Sequence, residues 1–236
     1  MTQHTEKNSA RNTSEPKQNS VDASGAGDAG ARGESAAERT LRRRLDPDQR
    51  REAIFEAARA EFATTPYSQV KIGDIAAASG SSPALIYRYF AGKDGLYAEV
   101  MRVGYERLAV QQESALAALP PNTSVRDHVR TIVQTYLDFV AENRESWGMV
   151  IRQSGAEPAS VGEIRDLARE ARIAQLRGVL ASSENRRHEM AICGFYGFVD
   201  AVLGDWVASG CPDDDRAPLI ETALGALQGA LGDWAA

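Results

Sequence analysis

Cysteine and histidine are scarce in this 236-residue chain, which has only Cys193, Cys211, His4, His128 and His188. The two cysteines form neither a disulfide framework nor a metal-ligand spacing, and such usage suits a reducing cytoplasm. His188, Glu189 and Cys193 do not share a helical face, since Cys193 lies five positions after the histidine, so they make no metal site. No glycine-rich phosphate loop or nucleotide fingerprint is present. An enzyme, a metal and a cofactor are therefore not expected. No run of eighteen apolar residues occurs, and the N-terminal MTQHTEKNSARNTSEPK is polar throughout. The expectation is a cytoplasmic protein with neither a membrane span nor an export leader.

Lysine is absent after Lys93, and the charge is unevenly divided. Arg39 to Lys93 holds ten Lys/Arg against six Asp/Glu, whereas Asp94 onward holds thirteen arginines against twenty-one acids. The net charge of −6 thus hides a basic head on an acidic body, which orients the chain toward a polyanion. Solvated charge alone produces such splits too, so the partition supports a motif without replacing one.

The motif is Ile72 to Lys93, IGDIAAASGSSPALIYRYFAGK. Ile72, Ile75, Ala76 and Ala78 give a short apolar helical face, and Gly80 supplies the permissive backbone for a sharp turn. Ser81 and Ser82 are candidate caps for a second helix, and Pro83 suits its first turn. Ile86 and Phe90 make a buried stripe, while Ala84, Tyr87 and Arg88 share the opposite face. Helix pairs around a glycine occur in many all-α proteins, but this outer face suits the major groove of duplex DNA. Arg88 can bond bidentately to guanine, and Ala84 permits close approach or meets a thymine methyl. Tyr87 and Tyr89 can reach phosphate with their hydroxyls, and Lys93 stands where a helix N-terminus also favours phosphate.

These residues resemble the DNA-binding domain of the TetR family of bacterial transcriptional regulators. The family pattern I-A-x-x-A-G-V-S-x-G-x-L-Y-x-H-F-x-x-K-x-x-L is met by Ile75-Ala76, Gly80, Ser82, Ile86-Tyr87, Tyr89-Phe90, Lys93 and Leu96. Upstream, Arg50 to Ile54, Ala57-Ala58 and Phe62 look like the family's first helix, so the resemblance covers Asp46 to Met101. Ser79, Ser81 and Ala84 depart from the pattern. Lys71 stands where a threonine often caps the second helix; lysine cannot accept a capping bond, though its charge can serve phosphate. The resemblance implies a homodimer on operator DNA, most simply a repressor released by a small-molecule effector.

Three regions are expected: a tail (1–45), a helix-turn-helix head (46–93) and a helical body for ligand binding and dimerisation (94–236). The tail is poor in large apolar residues and reads as disordered. It ends in Arg39-Thr-Leu-Arg42-Arg43-Arg44, either an arm for an adjacent minor groove or a solubilising linker. In the body, breaks at residues 119–122, 155–158, 181–184 and 209–212 separate helices near 94–117, 125–143, 147–152, 160–180, 185–208 and 214–234. No strand pattern appears, and the fold class is all-α.

Gly194, Gly197, Ala201, Gly204 and Ala208 line one face of the helix near 185–208, opposite Phe195, Val199, Val202 and Trp206. Gly225, Gly229 and Gly232 repeat the arrangement in the last helix. Glycine costs a helix about 1 kcal/mol relative to alanine, so such seams imply close packing. They read either as a four-helix interface with a second copy or as tight packing within one chain. Tyr136, Phe139, Val140, Trp147, Met149, Val150, Phe195, Val199 and Trp206 are candidates for an apolar effector pocket, though each alone is as readily core. Arg152, His128 and Asp200 are secondary polar candidates. A helical small-molecule-binding protein that needs no DNA is the competing reading.

Overall fold

A proline and a capping aspartate start the first helix. The computed structural model describes residues 46–152, 157–180 and 185–232, with side chains described through residue 148 in the first stretch. In α1 (Pro47–Thr64), the Asp46 carboxylate accepts from the Gln49 amide at 2.8 Å, and the Gln49 side chain accepts from the Asp46 amide at 3.3 Å. This reciprocal box, with Pro47 at the first helical position, satisfies amides that a helix start otherwise leaves free. Next come α2 (Ile72–Ala78), α3 (Pro83–Phe90) and α4 (Lys93–Ala117). The remaining helices are α5 (Val125–Glu142), α6 (Arg144–Arg152), α7 (Ala159–Val179), α8 (Arg186–Ala208) and α9 (Arg216–Leu231). No strand forms among the described residues.

The sequence-derived bounds of the body helices agree with these to within three residues, the last helix included. There the run after Pro212 first makes a 3-10 turn, Asp213–Asp215, and α9 begins only at Arg216. The serines also differ from expectation. Ser82 occupies the cap position of α3, but its side chain makes no capping bond. Lys71 heads α2 without one, as its chemistry requires.

Two hydrophobic clusters share α4. The first joins α1, α2 and α3 to Leu96, Tyr97 and Met101 of α4, with Ile54, Ala58, Ile75, Ile86 and Leu96 fully buried. Each large aliphatic removed from water there contributes about 1.5–3 kcal/mol. The second cluster takes Leu108 of α4 with α5, α8, α9, Trp147 and Leu176. Val161, near the start of α7, is fully buried in the first cluster although most of α7 lies against the body.

A polar clamp fixes that crossing. The Glu157 carboxylate, 4% exposed, accepts from the Tyr97 hydroxyl and from Arg165, both at 2.7 Å. Burial, then the bond to Glu157, raises the Tyr97 phenol above its ordinary pKa, so it stays a donor. Glu157→Ala should therefore leave a buried hydroxyl without its acceptor and Arg165 without its ion pair. A loss of about 3 kcal/mol is expected in equilibrium denaturation, with a much smaller loss for Glu157→Gln, which keeps an acceptor.

Candidate nucleic-acid interface

The turn between α2 and α3 is closed by short polar bonds. Ser79 donates its hydroxyl to the Ile75 carbonyl at 2.8 Å, and the Ser81 amide donates to the Ala76 carbonyl at 2.9 Å. Gly80 takes φ +63°, in the left-handed region where a side chain is disfavoured. Ser79, a departure from the family pattern, thus acts as the lock on the end of α2.

α3 is pinned from beneath and open above. Ile86 is fully buried and Phe90 nearly so, while the Arg51 guanidinium lies 4.9 Å from the centre of the Phe90 ring. Ser82, Pro83, Ala84, Tyr87 and Arg88 are exposed, Tyr87 at 61%. Among the described residues, the face expected to meet base edges is therefore open to solvent. Arg88 leans back on its neighbour, donating to the Tyr89 hydroxyl at 3.1 Å with its guanidinium 5.0 Å from the ring centre. Tyr89 is half-buried, and Lys71 is exposed at the head of α2.

Lys93 has a second occupation that its spacing did not reveal. Its ammonium donates to the carbonyls of Tyr67 at 2.9 Å and Val70 at 3.2 Å, and sits 4.4 Å over the Tyr67 ring. It braces the connection between α1 and α2, leaving one of its three donors for a phosphate. Tyr67 in turn packs against the rings of Phe62 and Tyr97 and bonds Asp94 through its hydroxyl.

The α3-to-α4 step depends on a residue absent from the sequence-derived candidates. Ala91 is left-handed at φ +56°, and Gly92 follows at φ +94° with the Tyr87 ring over it. A Cβ on Gly95, in the first turn of α4, would lie 1.9 Å from the Phe90 carbonyl oxygen. Only glycine admits this approach. A glycine inside a helix, where it is disfavoured, was the available signal.

Arg42, Arg43 and Arg44 and the rest of the tail lie outside the described residues, as do the side chains of Met149 and Arg152. The other expected pocket residues, Tyr136, Phe139, Trp147, Phe195, Val199 and Trp206, are buried in the body cluster. They fill the region assigned to a pocket. The Tyr136 hydroxyl donates to Asp200 at 3.1 Å and accepts from the Trp147 indole at 3.4 Å; the Trp206 indole donates to the Pro212 carbonyl at 3.0 Å. Phe139 and Trp147 border only a gap of about 50 Å³. His128 bonds the Ser124 carbonyl at the start of α5.

A cavity of about 860 Å³ lies instead between α4 and α7, and none of the expected pocket residues lines it. Ala109 on α4 and Ala168, Ala171 and Gly178 on α7 are too small to close the space. Arg172 stands in its wall, paired with Asp200 at 3.1 Å and flanked by the rings of Tyr136 and Tyr196.

The small-residue seams face outward. Gly194, Gly197 and Ala201 on α8 and Gly225 and Gly229 on α9 are exposed, and Gly204 is half-buried. A Cβ built at Gly194, Gly197, Gly225 or Gly229 meets nothing within 4 Å. Among the described residues, then, no helix of the same chain packs onto these glycines. By length and composition α8 is apolar enough to cross a membrane, yet Ile192, Phe195, Val199, Leu203 and Trp206 are buried inside the helical body.

An exposed helix carrying Ala84, Tyr87 and Arg88, held through a glycine turn on a buried base, defines a helix-turn-helix DNA-binding protein with an all-helical body. Residues 54–100 match the family model described as bacterial regulatory proteins, tetR family, and residues 125–223 match a tetracyclin repressor-like C-terminal domain. The chain belongs to the TetR family of bacterial transcriptional regulators. It is 26% identical over 123 residues to the HTH-type transcriptional activator FasR of Mycolicibacterium smegmatis, spanning 52% of this chain and only 55% of that relative. Among solved structures, a TetR-like regulator from Rhodococcus sp. RHA1 matches at TM-score 0.62 and 27% identity, over 80% of this chain and 100% of that one. A tetR-family regulator from Streptomyces coelicolor matches at TM-score 0.64 and 22% identity, covering 80% and 81%.

Proposed function

We propose that this regulator is a cytoplasmic homodimer whose two heads (46–93) occupy successive major grooves of a near-palindromic operator, joined through their bodies (94–236). One observation carries the reading: among the described residues the outer face of α3 is exposed to solvent, while Ile86 and Phe90 on its inner face are buried in the core. The outward seams of α8 and α9 support a second copy, and half-sites one helical turn apart require two heads. A dimer covering that length of duplex excludes other proteins from it, which makes repression the direct consequence of occupancy. FasR carries the name of an activator, so a reporter assay with and without the protein decides the sign. A small apolar or amphipathic effector in the body releases DNA by binding the off-DNA state more tightly.

A gel shift at several salt concentrations, using the DNA upstream of the protein's own gene against random duplex, tests the reading. Specific retention that falls as salt rises supports it, and equal retention of both duplexes refutes it. The competing reading, ligand binding without DNA, rests on the cavity alone and predicts that equal retention. Arg88→Ala should weaken operator binding by about 1–3 kcal/mol and relax preference at one base step. Lys93→Ala should weaken all sequences alike and, because its ammonium braces Tyr67 and Val70, should also lower the melting temperature. Equal losses on operator and random DNA for Arg88→Ala would remove its assigned role.

A further inference from the structure

We propose that Tyr89 is a positioning residue for Arg88, so that sequence preference depends on a side chain that makes no base contact of its own. The proposal rests on the DNA-reading role of α3 and names the residue that sets its selectivity.

Along α3 successive side chains project about 100° apart, so Tyr87 and Tyr89 lie on opposite flanks of the stripe formed by Ala84 and Arg88. Neighbours at i and i+1 on a helix do not ordinarily face each other. Arg88 nonetheless bends across the helix surface to Tyr89. Its Nη2 donates to the Tyr89 hydroxyl at 3.1 Å, and the guanidinium lies 5.0 Å from the ring centre. The two tyrosines are not equivalent. The Tyr87 ring lies over Gly92 at the step into α4. The Tyr89 ring is half-buried, packs on the head cluster and sits 6.4 Å from the ring of Phe90, so it offers a fixed platform.

The chemistry of that platform suits an arginine that must stay available. Among the described residues no carboxylate pairs with Arg88. A neutral phenol holds the guanidinium without cancelling the charge that a polyanion attracts. The bond uses one hydrogen of Nη2. Whichever hydrogen that is, one two-donor edge remains, either Nη1 with Nη2 or Nε with Nη2, and either can span guanine O6 and N7. Arginine carries a large rotamer entropy, and one held in place before binding loses less of it on contact. The gain falls only where Arg88 meets a base. It therefore raises discrimination at one step rather than affinity for every duplex.

The probes are duplexes selected from a random-sequence pool by the full-length protein, and the same duplexes with each base pair substituted in turn. Tyr89→Leu should weaken the best selected duplex by about three- to tenfold and flatten preference at the single step read by Arg88. Binding to random duplex should change by less than about twofold. Tyr89→Phe, which keeps the ring and loses only the acceptor, should give a smaller loss of the same pattern. In an Arg88→Ala background, Tyr89→Leu should cause no further loss, because its effect runs through the arginine. Equal weakening of selected and random duplexes by Tyr89→Leu would make Tyr89 a phosphate contact and overturn the proposal, as would additive losses in the double variant. NMR supplies a reading without DNA. The Arg88 side-chain resonances, displaced by the Tyr89 ring current, should move in Tyr89→Leu towards their values in a short peptide, with an unchanged circular dichroism spectrum. Resonances that stay in place overturn the proposal too. A wild-type protein that selects no duplex, with those resonances moving as expected, would instead remove the DNA-reading role while leaving the contact between Arg88 and Tyr89 standing.

Discussion

Gly95→Ala is expected to abolish operator binding and to lower the melting temperature sharply, although it adds one methyl group outside the reading face. The new Cβ would stand 1.9 Å from the Phe90 carbonyl oxygen, where real Cβ contacts essentially never fall below 3.0 Å. The atom it meets is backbone, so no rotamer change relieves the overlap. The end of α3 has to lift from the start of α4 by about an ångström, the difference between those two distances. That movement tilts Ala84, Tyr87 and Arg88 away from the geometry that α4 imposes, and pulls Phe90 from its buried seat. Overpacking of flexible side chains costs about 1–3 kcal/mol, and a backbone collision exceeds that range. Gly73→Ala is the matching control. It lies in α2 with nothing within 4 Å of an added Cβ, and should stabilise the head by about 0.5–1 kcal/mol through helix propensity alone. Wild-type operator affinity and melting temperature for Gly95→Ala would show that the α3–α4 contact does not set the reading helix.

Gly95 also marks the border between what spacing conveys and what it does not. The two faces of α3 were legible because the information for them is local. Ile86 and Phe90 four apart define an inner face, and everything opposite must point outward. The start of α1 carries information of the same local kind, since Asp46, Pro47 and Gln49 act within one turn. The cavity between α4 and α7 was not legible. Tyr136, Phe139, Trp147 and Phe195 have the composition of a pocket wall, but composition does not say which faces meet, and these meet each other. The open space arises where Ala109 faces Ala168 and Ala171, small residues whose helices are more than forty positions apart in sequence. Lys93 illustrates the same limit: helix-terminal position suggests phosphate, whereas the fold brings the Tyr67 and Val70 carbonyls within its reach. The outward direction of the glycine seams was readable from periodicity, because large and small residues occupy opposite sides of one helix.

Those seams carry the second large effect. Gly197→Leu should convert the protein to a monomer in sedimentation and weaken operator binding on the order of a hundredfold to ten-thousandfold, since a bivalent contact becomes a monovalent one. Within one chain the substitution is benign. Gly197 is exposed, an added Cβ meets nothing within 4 Å, and leucine is the better helix former. Any loss would therefore originate at the proposed contact with a second subunit, where a leucine would hold the two α8 helices apart. Gly162→Leu supplies the contrast, for Gly162 is equally open but lies on α7, away from both seams. It should leave mass and operator affinity unchanged. If Gly197→Leu sediments as the wild-type dimer, the interface lies elsewhere. If it is monomeric yet binds the operator as tightly as the wild type, the two heads do not act together. The outward glycines would then need a partner other than a second copy of this chain.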